Sequence, residues 1–454
     1  MRASGKGCDS FGICRGGRAV YTQAMTLRDE MMSLAKQAKA ASYALAQLTT
    51  ADKNAVLLAM ADAVETHAAE IQKANRIDLE AARKAGLSSA MLDRLTLDDR
   101  RVSAMARGLR EVAALPDPVG RVLDERVRPN GLRLRKVSTP IGVIVIIYES
   151  RPNVTADAAG LCFKSGNAVI LRGGKEALNS NRAIARIMVE AGQAHLSRFP
   201  EHAVQLVATP DRDAIRELLS LTPYVDLCMP RGGEALIRAV AECSRVPVIK
   251  HYKGVCHVFV DRDADLNMAE AIVVNAKLQR PGVCNAMETL LVDQAVAPAF
   301  LPTIARRLAE KNVLFHADGA AMALLQRVQG PDGGPLRLEP AAEQDWSTEY
   351  NDYVLNVRVV QSVEEAVYHV NRYGSAHSDS IVTRDERRAM QFLNGVDSAA
   401  VYWNASTRFT DGGEFGLGAE IGISTDKVGA RGPMGLEELT SYKWLGFGTG
   451  QVRT

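Results

Sequence analysis

From Val143 onward, short β-branched runs alternate with stretches of helical periodicity, an order that suits a parallel sheet covered by helices on both faces. The runs Val143–Ile147, Ala168–Leu171, Val204–Val207, Val225–Cys228 and Val246–Ile249 read as strands. Helical patterns near 153–164, 176–191, 211–220 and 233–242 fall between them. A second block repeats the scheme, with helices near 266–279, 295–311, 363–371 and 384–394 and strands near 289–292, 354–360, 380–382 and 400–402. Two α/β domains in tandem are predicted, and 454 residues suffice for two or three cores at ~150 residues per domain.

Ahead of this region, Leu57, Met60, Ala61, Val64, Ala68 and Ile71 keep the spacing of one helical face, with Thr50 as the N-cap of the second helix and Gly86 as the stop of a third. Leu132 and Leu134 alternate with Arg133 and Arg135, the period of a half-exposed strand in a ribbon reaching out of the body. The Gly/Pro-rich stretch Gln329 to Pro335 reads as a surface loop. Residues 1–24 carry no apolar segment of the secretory kind and read as a disordered extension ahead of Met25; Cys8 and Cys14 within it lack a second pair or neighbouring histidines to hold a metal.

Composition excludes whole classes of function. The 55 Lys+Arg against 53 Asp+Glu give a net +2, which offers no field for nucleic acid or an anionic membrane. The longest apolar candidate, Val143 to Ile147, is far short of the roughly 20 residues that span a bilayer. A hydrophobic content of 47% with 24% charged residues is that of a soluble globular chain. Seven scattered cysteines without a CxxC pair argue against a disulfide framework and for a reducing cytoplasm. No metal site is expected: the eight histidines include no HExxH pair, and Cys256 and His257, adjacent in a strand-like run, point to opposite faces.

Three features carry chemistry. Cys284, in Gln279-Arg280-Pro281-Gly282-Val283-Cys284-Asn285, sits in a tight polar turn with a cation four residues before it, a setting that favours the thiolate. Cys162 and Cys228 lie in apolar patterns and read as core. The stretch Tyr148-Glu149-Ser150-Arg151-Pro152-Asn153 follows a strand and opens a helix, where backbone N–H groups and the Asn153 amide make a donor cluster; an ordinary helix cap fits it equally well. Finally, Arg172-Gly173-Gly174-Lys175 and Pro230-Arg231-Gly232-Gly233 each follow a strand and precede a helix, a placement that suits phosphate or ribose at the carboxyl edge of a parallel sheet. A single Gly-Gly turn is a weak signal; two at equivalent strand ends favour a cofactor.

Cys284 with its flanks, the Asn153 helix start, Gly254-Val255-Cys256-His257-Val258-Phe259-Val260-Asp261, the stretch from Asn404 to Glu420 and the segment Arg431 to Glu437 closely resemble the gamma-glutamyl phosphate reductases, or glutamate-5-semialdehyde dehydrogenases, of the aldehyde dehydrogenase superfamily. The likeness runs from about Met25 to the C-terminus. It implies an aldehyde-dehydrogenase-like α/β fold: a Rossmann-like cofactor-binding domain (25–127 and 148–260), an α/β catalytic domain (261–430), and a small oligomerisation ribbon (128–147 and 431–454).

The resemblance also assigns roles. Cys284 takes the place of the catalytic cysteine and Asn153 that of the oxyanion-hole asparagine. Arg172 and Lys175 fall at the adenosine ribose, with Arg231, Gly232 and Gly233 at the second glycine site and Glu349 at the nicotinamide ribose. Lys175 replaces a glutamate common in NAD-using relatives, so NADP (NADPH) is the expected cofactor. Arg151, Arg280, Arg408, Glu414 and Glu420 are expected at the substrate, with Arg408 on its α-carboxylate and Glu414 or Glu420 on its ammonium; a clasp in which the loop charges pair with each other is the alternative. His251 stands where oxidative relatives carry the glutamate that activates water, a departure that favours reduction of an acyl phosphate. The implied reaction is reduction of L-glutamyl 5-phosphate to L-glutamate 5-semialdehyde, the second step of proline synthesis. The implied partners are a small-molecule substrate, further copies of the chain, and the glutamate 5-kinase that makes the labile substrate. An oxidative aldehyde dehydrogenase and a catalytically silent scaffold subunit are the rival readings.

Overall fold

The computed structural model describes residues 25–453, so the extension expected over 1–24, with Cys8 and Cys14, lies outside the described residues. The helices Leu27–Leu45, Thr50–Thr66, Ala68–Lys84, Ser89–Leu95 and Asp99–Ala114 come first. Thr49, one residue before the expected cap, closes the second helix: its hydroxyl accepts from Asp52 N–H, and the Asp52 carboxylate accepts from Thr49 N–H at 2.9 Å. That reciprocal box needs an acid three residues after the cap, which Thr50 lacks. The continuous apolar face expected from Leu57 to Ile71 is divided at His67, with Val64 and Ile71 buried on either side of the break. Gly86, at φ 73°, ends the third helix as expected.

The first sheet has four parallel strands in the order Val204–Leu206, Ala168–Arg172, Val143–Tyr148, Leu227–Arg231. Val143–Tyr148 is buried along its whole length, because helices cover both faces of a parallel sheet. The strand expected at Val246–Ile249 reduces to one bridge between Cys228 and Val248. Pro247 has no N–H to give, and only its carbonyl joins Cys228 N–H.

The second sheet has seven parallel strands in the order Leu338–Pro340, Leu314–Ala317, Val354–Val360, Met287–Asp293, Cys256–Val260, Ser378–Val382, Ala400–Trp403. Leu314–Ala317 and Leu338–Pro340 escape sequence reading because they are short and half-exposed at the sheet margin. Gln329 to Pro335 is the expected loop, closed by Gly333 at φ 78°.

The ribbon is a third, antiparallel sheet of Val122–Val127, Arg133–Pro140 and Thr440–Phe447. The boundaries read from sequence shift accordingly. Val122–Val127 joins the ribbon, Val143–Ile147 leaves it for the four-stranded sheet, and Cys256–Val260 belongs to the seven-stranded sheet. Met434, Leu436 and Leu439, expected to serve oligomerisation, are buried in the core around the four-stranded sheet. Each shift has one cause: register in a sheet is decided by partners remote in sequence. No described helix is long and apolar enough to cross a membrane.

Asp226 ties the first helix to the sheet. Its carboxylate accepts from Val143 N–H at 2.8 Å and from Lys39 Nζ at 2.8 and 2.9 Å. Asp226→Ala should cost about 2–3 kcal/mol of stability, since charged hydrogen bonds contribute roughly 1.5–3 kcal/mol each and the two share one acceptor; urea denaturation measures it.

Candidate active site

Three neighbouring parallel strands, Met287–Asp293, Cys256–Val260 and Ser378–Val382, begin at the same edge of the seven-stranded sheet. The residues just before them therefore meet: Cys284, His251 with Gly254, and His377. One ligand-capable atom from each of His251, Cys284 and His377 lies within 4.8 Å of the others. Gly254 is the bed of the cysteine. A Cβ there would stand 1.8 Å from the Cys284 carbonyl oxygen, so only glycine allows the two backbones to approach this closely. Cys256 Sγ donates to the same carbonyl at 3.2 Å.

Opposite stands the carboxyl edge of the four-stranded sheet, which contributes Arg231, Arg151 and Asn153. Arg231 is the hub. It draws down the Cys284 thiol and the Asp157 carboxyl, depresses His251, and lies 3.9 Å from Glu420 Oε1. Burial holds Arg151 and Arg408 below the usual guanidinium range, and mutual repulsion adds to it: Arg94, Arg231 and Arg280 all bear on Arg151, and Arg280 bears on Arg408. So many cations gathered together await an anion.

The expectation of a Cys284 thiolate is corrected. Burial pushes the thiol up to about 12, and the neighbouring Glu349 and Glu420 carboxylates add to the rise. Nor is Arg280 the cation that offsets it; that is Arg231, from the other sheet. Burial also pushes up Cys162 and Cys228, which are core as expected.

The other expected residues divide. The Asn153 amide donates to Asp157 Oδ2 at 3.1 Å, one helical turn on, and burial lifts Asp157 to about 6. Glu420 accepts from Gly412 N–H at 2.8 Å, while Arg408 Nε donates to Gln279 Oε1 at 2.8 Å. No ion pair joins Arg408 to Glu414 or Glu420 among the described residues, so the clasp is not formed; Arg408 and exposed Glu414 border one small cleft. The second glycine site meets an acid instead of an open anion site: Gly233 N–H donates to Glu149 Oε2 at 3.1 Å. At the first, Arg172 donates to Gly173 O and Pro210 O, and Lys175 is exposed beside it. Glu349 lies near Cys284, its carboxyl raised by burial and partly offset by Gly254 N–H. Sequence reading missed His377, which is hidden in the polar run Ser375 to Ser380, and Asp157, a lone acid in an apolar helix; neither carries a spacing signal.

Comparisons with known proteins show the family. The model of the aldehyde dehydrogenase family matches residues 16–322. Gamma-glutamyl phosphate reductase of Opitutus terrae is 56% identical over 93% of this chain and 97% of its own. That of Thermodesulfovibrio yellowstonii is 51% identical over 94% and 100%. The crystal structure of gamma-glutamyl phosphate reductase from Thermotoga maritima superposes with a TM-score of 0.90 at 44% identity, over 94% of this chain and all of the other. The chain belongs to the aldehyde dehydrogenase family, in its gamma-glutamyl phosphate reductase branch.

As a member of this family the chain is an enzyme, and its cysteine turn is the most constrained part of the site. Gly254→Ala should displace the Cys284 backbone and lower kcat by about 100-fold, the typical cost of a 1 Å misplacement of a reacting group. Steady-state rates, with iodoacetamide labelling of Cys284 in the same variant, measure it.

Proposed function

We propose that this enzyme reduces L-glutamyl 5-phosphate to L-glutamate 5-semialdehyde and phosphate with NADPH, as the second step of proline biosynthesis. The observation that carries the proposal is a partly exposed cysteine facing a convergence of arginines, beside which a dianionic acyl phosphate is the fitting electrophile. The names of the relatives support the same substrate.

In this reading the thiol proton passes to neutral His251, whose Nδ1–H is held by Ile423 O at 2.9 Å and whose Nε2 is free to accept. The Cys284 sulfur attacks the acyl carbon, the Asn153 amide and the Cys284 N–H hold the oxyanion, and the carbon–oxygen bond to phosphate breaks, leaving a thioester. Asp157 takes one Asn153 amide hydrogen and leaves the other directed at the oxyanion. Arg151, Arg280 and Arg408 bind the phosphate and α-carboxylate, and Glu414 or Glu420 the ammonium. NADPH, when bound, supplies the hydride that reduces the thioester, after which the aldehyde departs and the thiol is restored.

The residues fit that cofactor. Arg172 keeps a buried Nε without a partner at the carboxyl edge of the four-stranded sheet, beside exposed Lys175 and near Arg212, which together suit a 2′-phosphate. Glu349 would hold the nicotinamide ribose, and Arg231 with Gly232 and Gly233 the cofactor's other end of the cleft. The four-stranded sheet is thereby the cofactor-binding domain and the seven-stranded sheet the catalytic one. The ribbon exposes Val122, Leu123, Val127, Tyr442, Trp444 and Phe447, a surface suited to a second copy of the chain. Transfer of a labile acyl phosphate favours contact with glutamate 5-kinase, and the setting is the cytoplasm.

NADP reduction should require both phosphate and L-glutamate 5-semialdehyde; reduction without phosphate would mean an oxidative dehydrogenase, and none at all a silent scaffold. Cys284→Ala should abolish turnover while NADPH still binds by fluorescence titration, whereas normal turnover would end the mechanism. Lys175→Glu should weaken NADPH by about 10-fold or more and leave NADH nearly unchanged, since an exposed ion pair becomes a repulsion; equal effects on both would remove Lys175 from phosphate recognition.

A further inference from the structure

We infer that His251, Cys284 and His377 form a binding site for a soft divalent metal ion of the Zn2+ type, which competes for the sulfur the reaction needs. No sequence spacing suggests it, because the three residues come from three segments joined only by the order of strands in the seven-stranded sheet.

The first support is the donor set. Two imidazoles and a thiol, with one ligand-capable atom of each within 4.8 Å of the others, are the chemistry that Zn2+ and its neighbours select. The second is the state of the two rings. His251 Nδ1 faces the carbonyl of Ile423 at 2.9 Å, and a carbonyl can only accept, so the proton sits on Nδ1 and the Nε2 lone pair is bare. His377 Nδ1 lies 2.8 Å from Ser378 Oγ, whose own proton goes to Thr410 Oγ1 at 2.6 Å. Ser378 is therefore the acceptor, and His377 too keeps a bare Nε2. Metal-bound histidines are oriented in this way, by a second ring nitrogen that donates to a carbonyl or other fixed oxygen.

The third support is burial: the bare His377 Nε2 is shut away from solvent and has no hydrogen-bond partner. A desolvated lone pair without a donor is unusual in a folded protein, and a cation at the cluster would satisfy it. At Zn–S of about 2.3 Å and Zn–N of about 2.0–2.1 Å, the ligands need to stand roughly 3.3–3.6 Å apart, so the cluster closes by about an ångström. The Cys284 backbone is held, but its partly exposed side chain can turn about χ1 to make up that distance. Three protein ligands leave the fourth position open towards the arginine side of the site. On binding, the thiol proton is released to solvent and a sulfur–metal bond forms; nothing is oxidised or reduced. The inhibitory consequence rests on Cys284 being the nucleophile, but the binding does not.

Co2+ added to the full-length, substrate-free protein is the probe. The expected result is one equivalent bound with a thiolate-to-cobalt charge-transfer band, together with protection of Cys284 from iodoacetamide. Cys284→Ser should lose the band, and His251→Gln and His377→Gln should each weaken Co2+ at least 10-fold. Absence of the band in the parent protein, or unchanged affinity in the histidine variants, would overturn the site. His377 is fully buried, so if its variant does not fold, His251→Gln at the more open position decides alone. Zn2+ should inhibit turnover reversibly, with recovery on adding EDTA; a cobalt band with turnover intact would leave the site standing and count against Cys284 as nucleophile.

Discussion

Everything at this site depends on two backbones touching. The contact between Gly254 and the Cys284 carbonyl is possible only without a side chain at 254, and it locks the cysteine turn onto the start of the neighbouring strand. Because Cys256–Val260 and Met287–Asp293 are hydrogen-bonded neighbours, the turn inherits the rigidity of the sheet. Asn285, the next residue, extends the hold: its amide donates to Thr410 O at 2.8 Å and its carbonyl accepts from Thr407 Oγ1 at 2.7 Å. The loop from Asn404 to Glu420 is thus fastened to the Cys284 turn.

Charge at the site is arranged by opposition between the two sheets. The four-stranded sheet brings Arg231 and Arg151, while the catalytic side brings Glu349 and Glu420, and Cys284 lies between them. Burial, with the two carboxylates, outweighs Arg231 and pushes the thiol up. An uncharged resting thiol resists oxidation and stray electrophiles, since the thiolate is the reactive form. The arginines repel one another, an arrangement suited to an anionic ligand.

A buried ion pair supports the acidic wall. Lys277 Nζ and Glu288 Oε2 meet at 2.7 Å with both side chains fully buried, and burial pushes Glu288 up to about 7. Glu288 also accepts from Asn351 N–H at 3.2 Å, where the chain takes φ 56°. That turn presents Glu349 to the site. Such a pair adds little net stability, because desolvation offsets the attraction, but removing one partner strands a buried charge; it fixes the position of a loop.

The sequence by itself determined the two parallel sheets, since alternating β-branched runs and helical faces allow little else, and it set Cys284 apart in a polar turn from Cys162 and Cys228, which stand in apolar runs and are buried. The turns at Gly173-Gly174 and Gly232-Gly233 and the loop from Asn404 to Glu420 were legible because glycine and charge have no business in a core. Strand order was not legible, as period-2 patterning says that a run is a strand but not which strand lies beside it. The tertiary structure alone therefore decided that His251, His377 and Cys284 meet, that Arg231 rather than Arg280 faces the thiol, and that Asp157 holds Asn153. It also reversed the direction in which the Cys284 thiol is pushed: a local sequence shows the cation nearby in the chain, whereas burial and the carboxylates of Glu349 and Glu420 come from segments more than sixty residues away.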